Sequence, residues 1–307
     1  MADDDLNSNS NEKTYAKCKV DIEGPSKELL EWARNHINEN PDVKDLLLSE
    51  LKDRIYEKGE CVPSRLDDEF LLRFLRARDF CVQKAHRLYV NYHHFKEDVP
   101  DYFYNVSLDK LYNISKTGIF TVPPNRDQLG RRLLLIKFGK WVPSDYTPTE
   151  LIQFVVFLTQ ISLLEPETQI RGAVLVIDVS GITLEMVWYM TPKLAKHLVN
   201  LSVTAYPLRL EAVHFVNTTW MFDTAFAMVK VLISEFVRRR VHFHNDWEGL
   251  RDSVDVKGLG EGAGESLERW FKEAVVGNEA VMGELERCGY GLREFVARRK
   301  VEMGIGG

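Results

Sequence analysis

Residues Tyr206 to His244 read YPLRLEAVHFVNTTWMFDTAFAMVKVLISEFVRRRVHFH. Pro207 lacks an amide proton and holds Tyr206 extended, so any preceding helix must end there. Ala212-Val213-His214-Phe215-Val216 then has the β-branched and aromatic composition of an interior strand. Thr218 or Thr219 can cap a following helix, on which Phe222, Phe226, Val229, Ile233 and Phe236 recur at the spacing of one helical face. Trp220, Met221, Ala225, Met228, Val231 and Leu232 widen that face and leave only Asp223, Lys230 and Ser234 as a polar stripe. A helix apolar round most of its circumference must be covered on more than one side, by protein, by a greasy ligand or by lipid. Arg238, Arg239 and Arg240 follow, where cations suit the negative end of a helix dipole. Two readings stand: a core helix with a solvated basic end, or a movable lid over an apolar cavity, able to touch a membrane.

Upstream, Gly172 to Val179 (GAVLVIDV) and Leu133-Leu134-Leu135-Ile136 are continuously apolar, as strands covered on both faces should be, and the sheet is expected to begin at the second of these runs. Between them Thr147-Pro148-Thr149-Glu150 combines an N-cap, a first-turn proline and a glutamate at the third position, a firm helix start. Alternating strands and helices through to His242-Phe243-His244 predict an α/β domain with a mostly parallel sheet.

The preceding hundred residues read differently. Leu29, Leu30, Ala33 and Ile37, then Val43, Leu46, Leu47, Leu51 and Ile55, then Phe70, Leu71, Phe74 and Leu75, then Ala85, Leu88, Tyr89 and Tyr92 mark the apolar faces of four helices. Arg73, Arg76 and Arg78 are expected to face out, and the adjacent His93 and His94 point too far apart on a helix to share a metal. The expected organisation is a flexible tail over residues 1–24, a helical domain over 25–100, an α/β domain over 101–256, and a glycine-rich connection with a helical tail over 257–307.

The chain has 307 residues, 45% of them hydrophobic, and a formal net charge of -6, which speaks against a nucleic-acid binder needing a broad basic face. Its four cysteines lack the spacing of a zinc site or the density of a disulfide framework, which predicts a reduced, intracellular protein. No apolar run approaches the roughly 20 residues that span a bilayer. No Gly-x-Ser-x-Gly, Gly-x-x-x-x-Gly-Lys-Ser/Thr or His-Glu-x-x-His motif occurs, so no enzyme is expected. Gly258 to Ala263 fits Gly-x-Gly-x-x-Ala only formally, with no strong strand before it, and reads as a connection. His242 and His244 would share one face of a strand, but no neighbouring third ligand completes a metal set, so they read as strand histidines. Asp178, alone at the end of its strand, reads as the cap of the following turn.

Asp68-Glu69-Phe70-Leu71-Leu72-Arg73-Phe74-Leu75-Arg76-Ala77-Arg78 resembles the N-terminal helical signature of the CRAL-TRIO lipid-binding family. Gly130-Arg131-Arg132, Glu167-Thr168-Gln169, Asp178 to Gly181 and Tyr206-Pro207-Leu208-Arg209 resemble its lipid-binding domain, in the branch of tocopherol-transfer, retinaldehyde-binding and clavesin type. The resemblance covers roughly residues 27 to 250, in order and spacing. It implies a cavity between the sheet and a gate helix starting at Trp220. Matching positions imply Ile152, Val155, Val156 and Thr159 on one wall, and Ile177 and Ile182 at the floor strand and its exit. Met190, Leu198, Leu201, Tyr206 and Val213, with Phe222, Phe226 and Val229 of the lid, would complete the lining.

The resemblance also implies phosphoinositide headgroup contacts at Arg209 and Arg240, with Arg238 and Arg239 as further candidates. Glu211 and Phe236 depart from it, standing where the tocopherol-transfer type has basic residues. The function it implies is a cytoplasmic carrier of a tocopherol-, retinoid- or carotenoid-like molecule. Such a carrier exchanges its cargo at phosphoinositide-containing membranes, endosomal ones among them. A phospholipid-sensing trafficking or adaptor protein is the alternative.

Overall fold

The computed structural model describes residues 20–254 and 267–302, apart from the side chains of Phe236, Lys300 and Glu302. The readings of residues 1 to 19 as a tail and of Gly258 to Gly264 as a connection lie outside the described residues.

Helices α1 (Lys27–Ile37), α2 (Pro41–Lys58), α3 (Asp68–Ala77) and α4 (Val82–Asp98) come first. The Ser26 and Asp67 side chains accept the Leu29 and Phe70 amides, and Asn40 accepts that of Asp42 ahead of the turn that Pro41 opens. Leu29, Ile37, Leu51, Ile55, Leu71, Phe74, Leu88 and Tyr89 meet in one cluster.

The arginines of α3 overturn an expectation. Arg73 and Arg76 are buried: Arg73 donates to Glu284 at 2.7 Å, and Arg76 to Glu39 at 2.6 and 2.9 Å and to Gln169 at 2.7 Å. A guanidinium is tolerated inside when acceptors arrive from other elements, here from far along the chain, which helical periodicity cannot foresee. His93 is buried too, its Nδ1 2.9 Å from the Tyr89 carbonyl and its Nε2 2.9 Å from Ser64 Oγ, while His94 is exposed.

After α5 (Leu108–Lys116) the chain enters the sheet through β1 (Phe120–Thr121), β2 (Arg132–Lys137), α6 (Pro148–Ser162), α7 (Pro166–Arg171), β3 (Ala173–Asp178), α8 (Leu184–Tyr189) and α9 (Pro192–Val199). It continues through β4 (Leu210–Val216), α10 (Trp220–Lys230), α11 (Glu235–Arg238), β5 (Val241–His244) and α12 (Trp247–Arg251). The five strands lie in chain order, with β1 antiparallel to β2 and every later neighbour parallel. The sheet thus starts at β1, one strand before the Leu133 run, because two residues are too few to show a period. Thr147 and Glu150 make the reciprocal capping box at the start of α6.

Successive strand residues point to opposite faces. On the back, Leu133, Leu135, Val174, Val176, Ala212 and Val216 are sealed by Leu250 and Val254. Past the undescribed segment, α13 (Glu268–Phe271), α14 (Glu279–Arg287) and α15 (Leu292–Glu302) follow. Trp270, Phe271, Val275 and Val276 are buried beside Phe154 and Phe157 of α6. Glu284 of α14 accepts from both Arg65 and Arg73, at 2.6 and 2.7 Å, and so fastens this tail to the helical lobe.

Candidate functional site

The front of the sheet carries the site. Thr219 accepts the Phe222 amide and starts α10, which packs against α8 and α9. The Phe215 ring of β4 lies 4.7 Å from Phe222, 5.5 Å from Phe226 and 5.8 Å from Phe243, an aromatic seam between helix and sheet. Leu175 and Val213, in the middle of β3 and β4, are only half-buried here, whereas Val174, Val176 and Ala212 beside them in the chain are closed off behind. A central-strand residue stays accessible only where the layer above it leaves space.

The expected single helix from Trp220 to Phe236 is in fact two. α10 ends at Lys230, and α11 begins after Ser234, whose backbone is extended. The β-branched Val229, Val231 and Ile233 weaken helix propagation, and Arg238 Nη2 reaches back to the Lys230 carbonyl at 2.9 Å, supplying a partner for the frayed end. Outside, Trp220 and Val231 are 68% and 78% exposed, and Trp188 on adjoining α8 is 83% exposed. Apolar side chains therefore lie on both sides of α10.

The residues expected to line a cavity fall into two groups. Ile177 and Phe222 cluster with Val213 and Phe226 at the aromatic seam. Ile152, Val156, Leu201 and Tyr206 belong to the cluster shared with the helical lobe, where the Tyr206 ring is 5.6 Å from Tyr92, and Leu198 packs on its margin. Val155 touches both this cluster and the α6 cluster, against which Ile182 also packs. Thr159 is buried, its Oγ1 donating to the Val155 carbonyl at 2.8 Å, and Met190 and Val229 are half-buried.

A second feature adjoins the end of α11. A cavity of about 280 Å³ is lined by Arg78 and Asp79 of the α3–α4 turn, Lys84 of α4, Arg209 and Glu211 at the start of β4 and Arg240 before β5, and by apolar side chains that include Val203, Leu208, Val237 and Val213, the last of them one of the expected lining residues. Arg209 Nη1 lies 2.5 Å from Asp79 Oδ1, and its Nη2 3.3 Å from Glu211 Oε1. Arg240 Nη2 lies 3.7 Å from the other oxygen of Glu211. The Arg209 Nε is buried with no acceptor among the described residues. Burial, and after it the charge of Arg209, lowers the pKa of Arg78. A cluster of guanidiniums around one small cavity suits an anion with several oxygens.

Of the four expected headgroup contacts, Arg209 and Arg240 stand at this cavity, while Arg238 and Arg239 are exposed outside it. Sequence reading missed Arg78 and Lys84. The signal available was the run of arginines at the end of α3, whose direction depends on the turn made by Asp79 and Phe80, both at positive φ.

Asp178 does serve its turn, Oδ1 accepting the Ser180 amide and the Asn217 side-chain amide, each at 2.9 Å. His242 and His244 do have a third histidine beside them, His214 of β4, with ring centroids 4.8 and 5.1 Å away. These rings stack rather than converge, and among the described residues no group of three or more His, Cys, Asp or Glu is arranged to hold a metal. No described helix is long and apolar enough to cross a membrane.

A helical lobe ahead of a mostly parallel sheet, with an apolar helix over its front, defines an α/β protein with a helical N-terminal unit. Residues 27–91 match the CRAL/TRIO N-terminal domain and residues 116–264 the CRAL/TRIO domain. The chain is 32% identical over 219 residues to the alpha-tocopherol transfer protein-like proteins of Mus musculus and Homo sapiens, a match covering 71% of this chain and 64% of each relative. It is 31% identical over 225 residues to clavesin-1 of Rattus norvegicus, covering 73% of this chain and 64% of that one. The matched part thus spans a little under two thirds of these relatives. The solved structure titled "Crystal structure of Sfh5" aligns with a TM-score of 0.45 and 17% identity over 75% of this chain and 91% of its own. The chain belongs to the CRAL/TRIO family of lipid-binding and lipid-transfer proteins.

Proposed function

We propose that the protein is a carrier, not a catalyst, that shields a hydrophobic small molecule between the front of its sheet and α10. The cargo is of tocopherol, retinoid or carotenoid type, and it is exchanged at membranes containing phosphoinositides, with the protein cytoplasmic and transiently on endosomal or other intracellular membranes. One observation carries this reading: the half-open front face at Leu175 and Val213, under a helix that is apolar inside and out. A core helix has no use for an exposed Trp220 and Val231, whereas a lid that swings from sheet to bilayer has a partner for each side in each position.

The cavity with Arg78, Arg209 and Arg240 lies beside the end of that lid and offers a headgroup phosphate the donors that a membrane surface would meet. Native mass spectrometry and solvent extraction of the purified protein test the reading. An isoprenoid or retinoid in the extract supports the carrier, and a phospholipid would point to the sensing or adaptor protein. No lipid at all, with none taken up from vesicles, would remove both.

A further inference from the structure

The back of the sheet holds a feature that the lipid site does not use. His214 lies in mid-β4, in register with Val176 of β3 on one side and His242 of β5 on the other, with His244 two pairs further along, opposite Val216. It is 3% exposed, and its Nδ1 lies 2.9 Å from His244 Nε2. The His242 and His244 rings stack on it at 21° and 24°. A hydrogen bond between two imidazole nitrogens needs one donor and one acceptor, which the neutral rings provide. Protonation of both His214 and His244 makes both nitrogens donors and sets cations in contact, one of them on the buried His214.

Among the described residues, the carboxylates that face the cluster, Asp127 toward His214 and Asp246 toward His244, favour its charged form but already have partners of their own. Asp127, in the loop before β2, is occupied by the Arg131 guanidinium at 2.6 Å and by the Leu129 and Arg131 amides at 3.0 and 2.8 Å. Arg131 itself repels added positive charge. Asp246 accepts the Gly249 amide to cap α12, whose Glu248 and Arg251 are exposed. Asp178, at the end of β3, is held by Ser180 and Asn217.

The strand these histidines secure is the shortest of the parallel set. β5 has four residues and one neighbour, so its attachment to β4 is all that holds it in the sheet. Its first ladder bond, from the Val213 amide to the Arg240 carbonyl at 2.8 Å, also places a guanidinium of the arginine-lined cavity, and α11 and α10 lead directly into it.

We propose that His214 and His244, with His242 stacked beside them, form a proton-operated latch: neutral, the pair holds β5 on β4, and protonated, it releases β5 together with Arg240 and the end of α10. Burial first, then His242 and His244, push the His214 imidazole down to about 4, and burial followed by His242 lowers His244 as well. A histidine held below its ordinary value stays neutral in the closed strand while the open strand takes up the proton. The closed form is therefore undiminished above about pH 6.5 and loses ground as pH falls from there toward the lowered value. The expected gain in opening is about fivefold per such histidine between pH 6.5 and 5.5, and about tenfold between pH 7.4 and 5.5. That release of β5 also loosens the lid rests on the lidded-cavity reading, but the latch itself does not.

Amide hydrogen exchange of the full chain at pH 7.4 and 5.5, corrected for the intrinsic pH dependence of exchange, tests the latch. Val241 to His244 should open at least tenfold more readily at the lower pH while Val174 to Ile177 of β3 hold. In His214→Leu the pH effect on β5 should all but vanish, and in His244→Gln, a half-buried position, it should fall about threefold. A wild-type β5 equally protected at both pH values, or a His214→Leu protein that opens with acid as the wild type does, would overturn the proposal. Both readouts leave the question of cargo untouched.

Discussion

The two faces of one sheet make an instructive pair. Val174 and Val176 face back and are sealed beneath Leu250 and Val254, while Leu175 between them faces front and stays half accessible. Residue type is the same on both sides, so hydrophobicity alone does not say which face the chain itself will cover. The back is closed by α12 with ordinary core packing. In our account the front is left for a molecule that is not part of the chain.

The largest contrast is expected where a charge is placed on each face. Val174→Asp should abolish cooperative folding, since burying an unpaired carboxylate costs several kcal/mol against a total stability of about 5–15 kcal/mol. Phe226→Asp, on the lid, should melt within a few degrees of the wild type, because its side chain is only partly buried and α10 can turn it to water, yet retain extracted cargo at least tenfold less well. A thermal melt and a ligand-retention assay check both. Equal destabilisation by the two substitutions would erase the distinction between the faces.

The membrane side gives smaller effects. Glu211 sits between Arg209 and Arg240, at 3.3 and 3.7 Å, so Glu211→Lys changes the charge at the cavity by two. At about 1 kcal/mol per charge near an anionic surface this should strengthen binding to phosphoinositide vesicles by about 30-fold at low salt, read by vesicle flotation. Arg239→Ala, exposed beyond the cavity, should weaken it by about fivefold, and both effects should shrink as salt is raised. Arg251→Ala, exposed on α12 behind the sheet, should change vesicle binding less than twofold, and a change as large as that of Arg239→Ala would mean that the membrane does not meet the front.

The strands and helix starts were legible because their causes are local. Thr147 with Glu150, Ser26, Thr219, and the apolar runs of β2 and β3 carry their own instructions within a few residues. What escaped reading depends on residues brought together across long stretches of chain. Arg76 is buried because Glu39 and Gln169 come to it, and Arg73 because Glu284 does. His214 joins His242 and His244 only through the pairing of β4 with β5, so two histidines in sequence become three in space. The arginine-lined cavity likewise needs the α3–α4 turn, the entry to β4 and the end of α11 at once, and of these only the Arg209 and Arg240 positions carried a family signal. The early end of α10 lay within local reach, in the β-branched residues around Lys230, but the unbroken apolar face outweighed it.

The claim that cargo fills the space the chain leaves open is tested most directly by hydrogen exchange of α10 with and without bound lipid. Phe222 to Val229 should be among the least protected helical amides of the α/β domain when empty and gain at least tenfold protection on loading, while Val174 to Ile177 of β3 change little. Equal protection of α10 in both states would contradict the account and leave that helix a fixed part of the core.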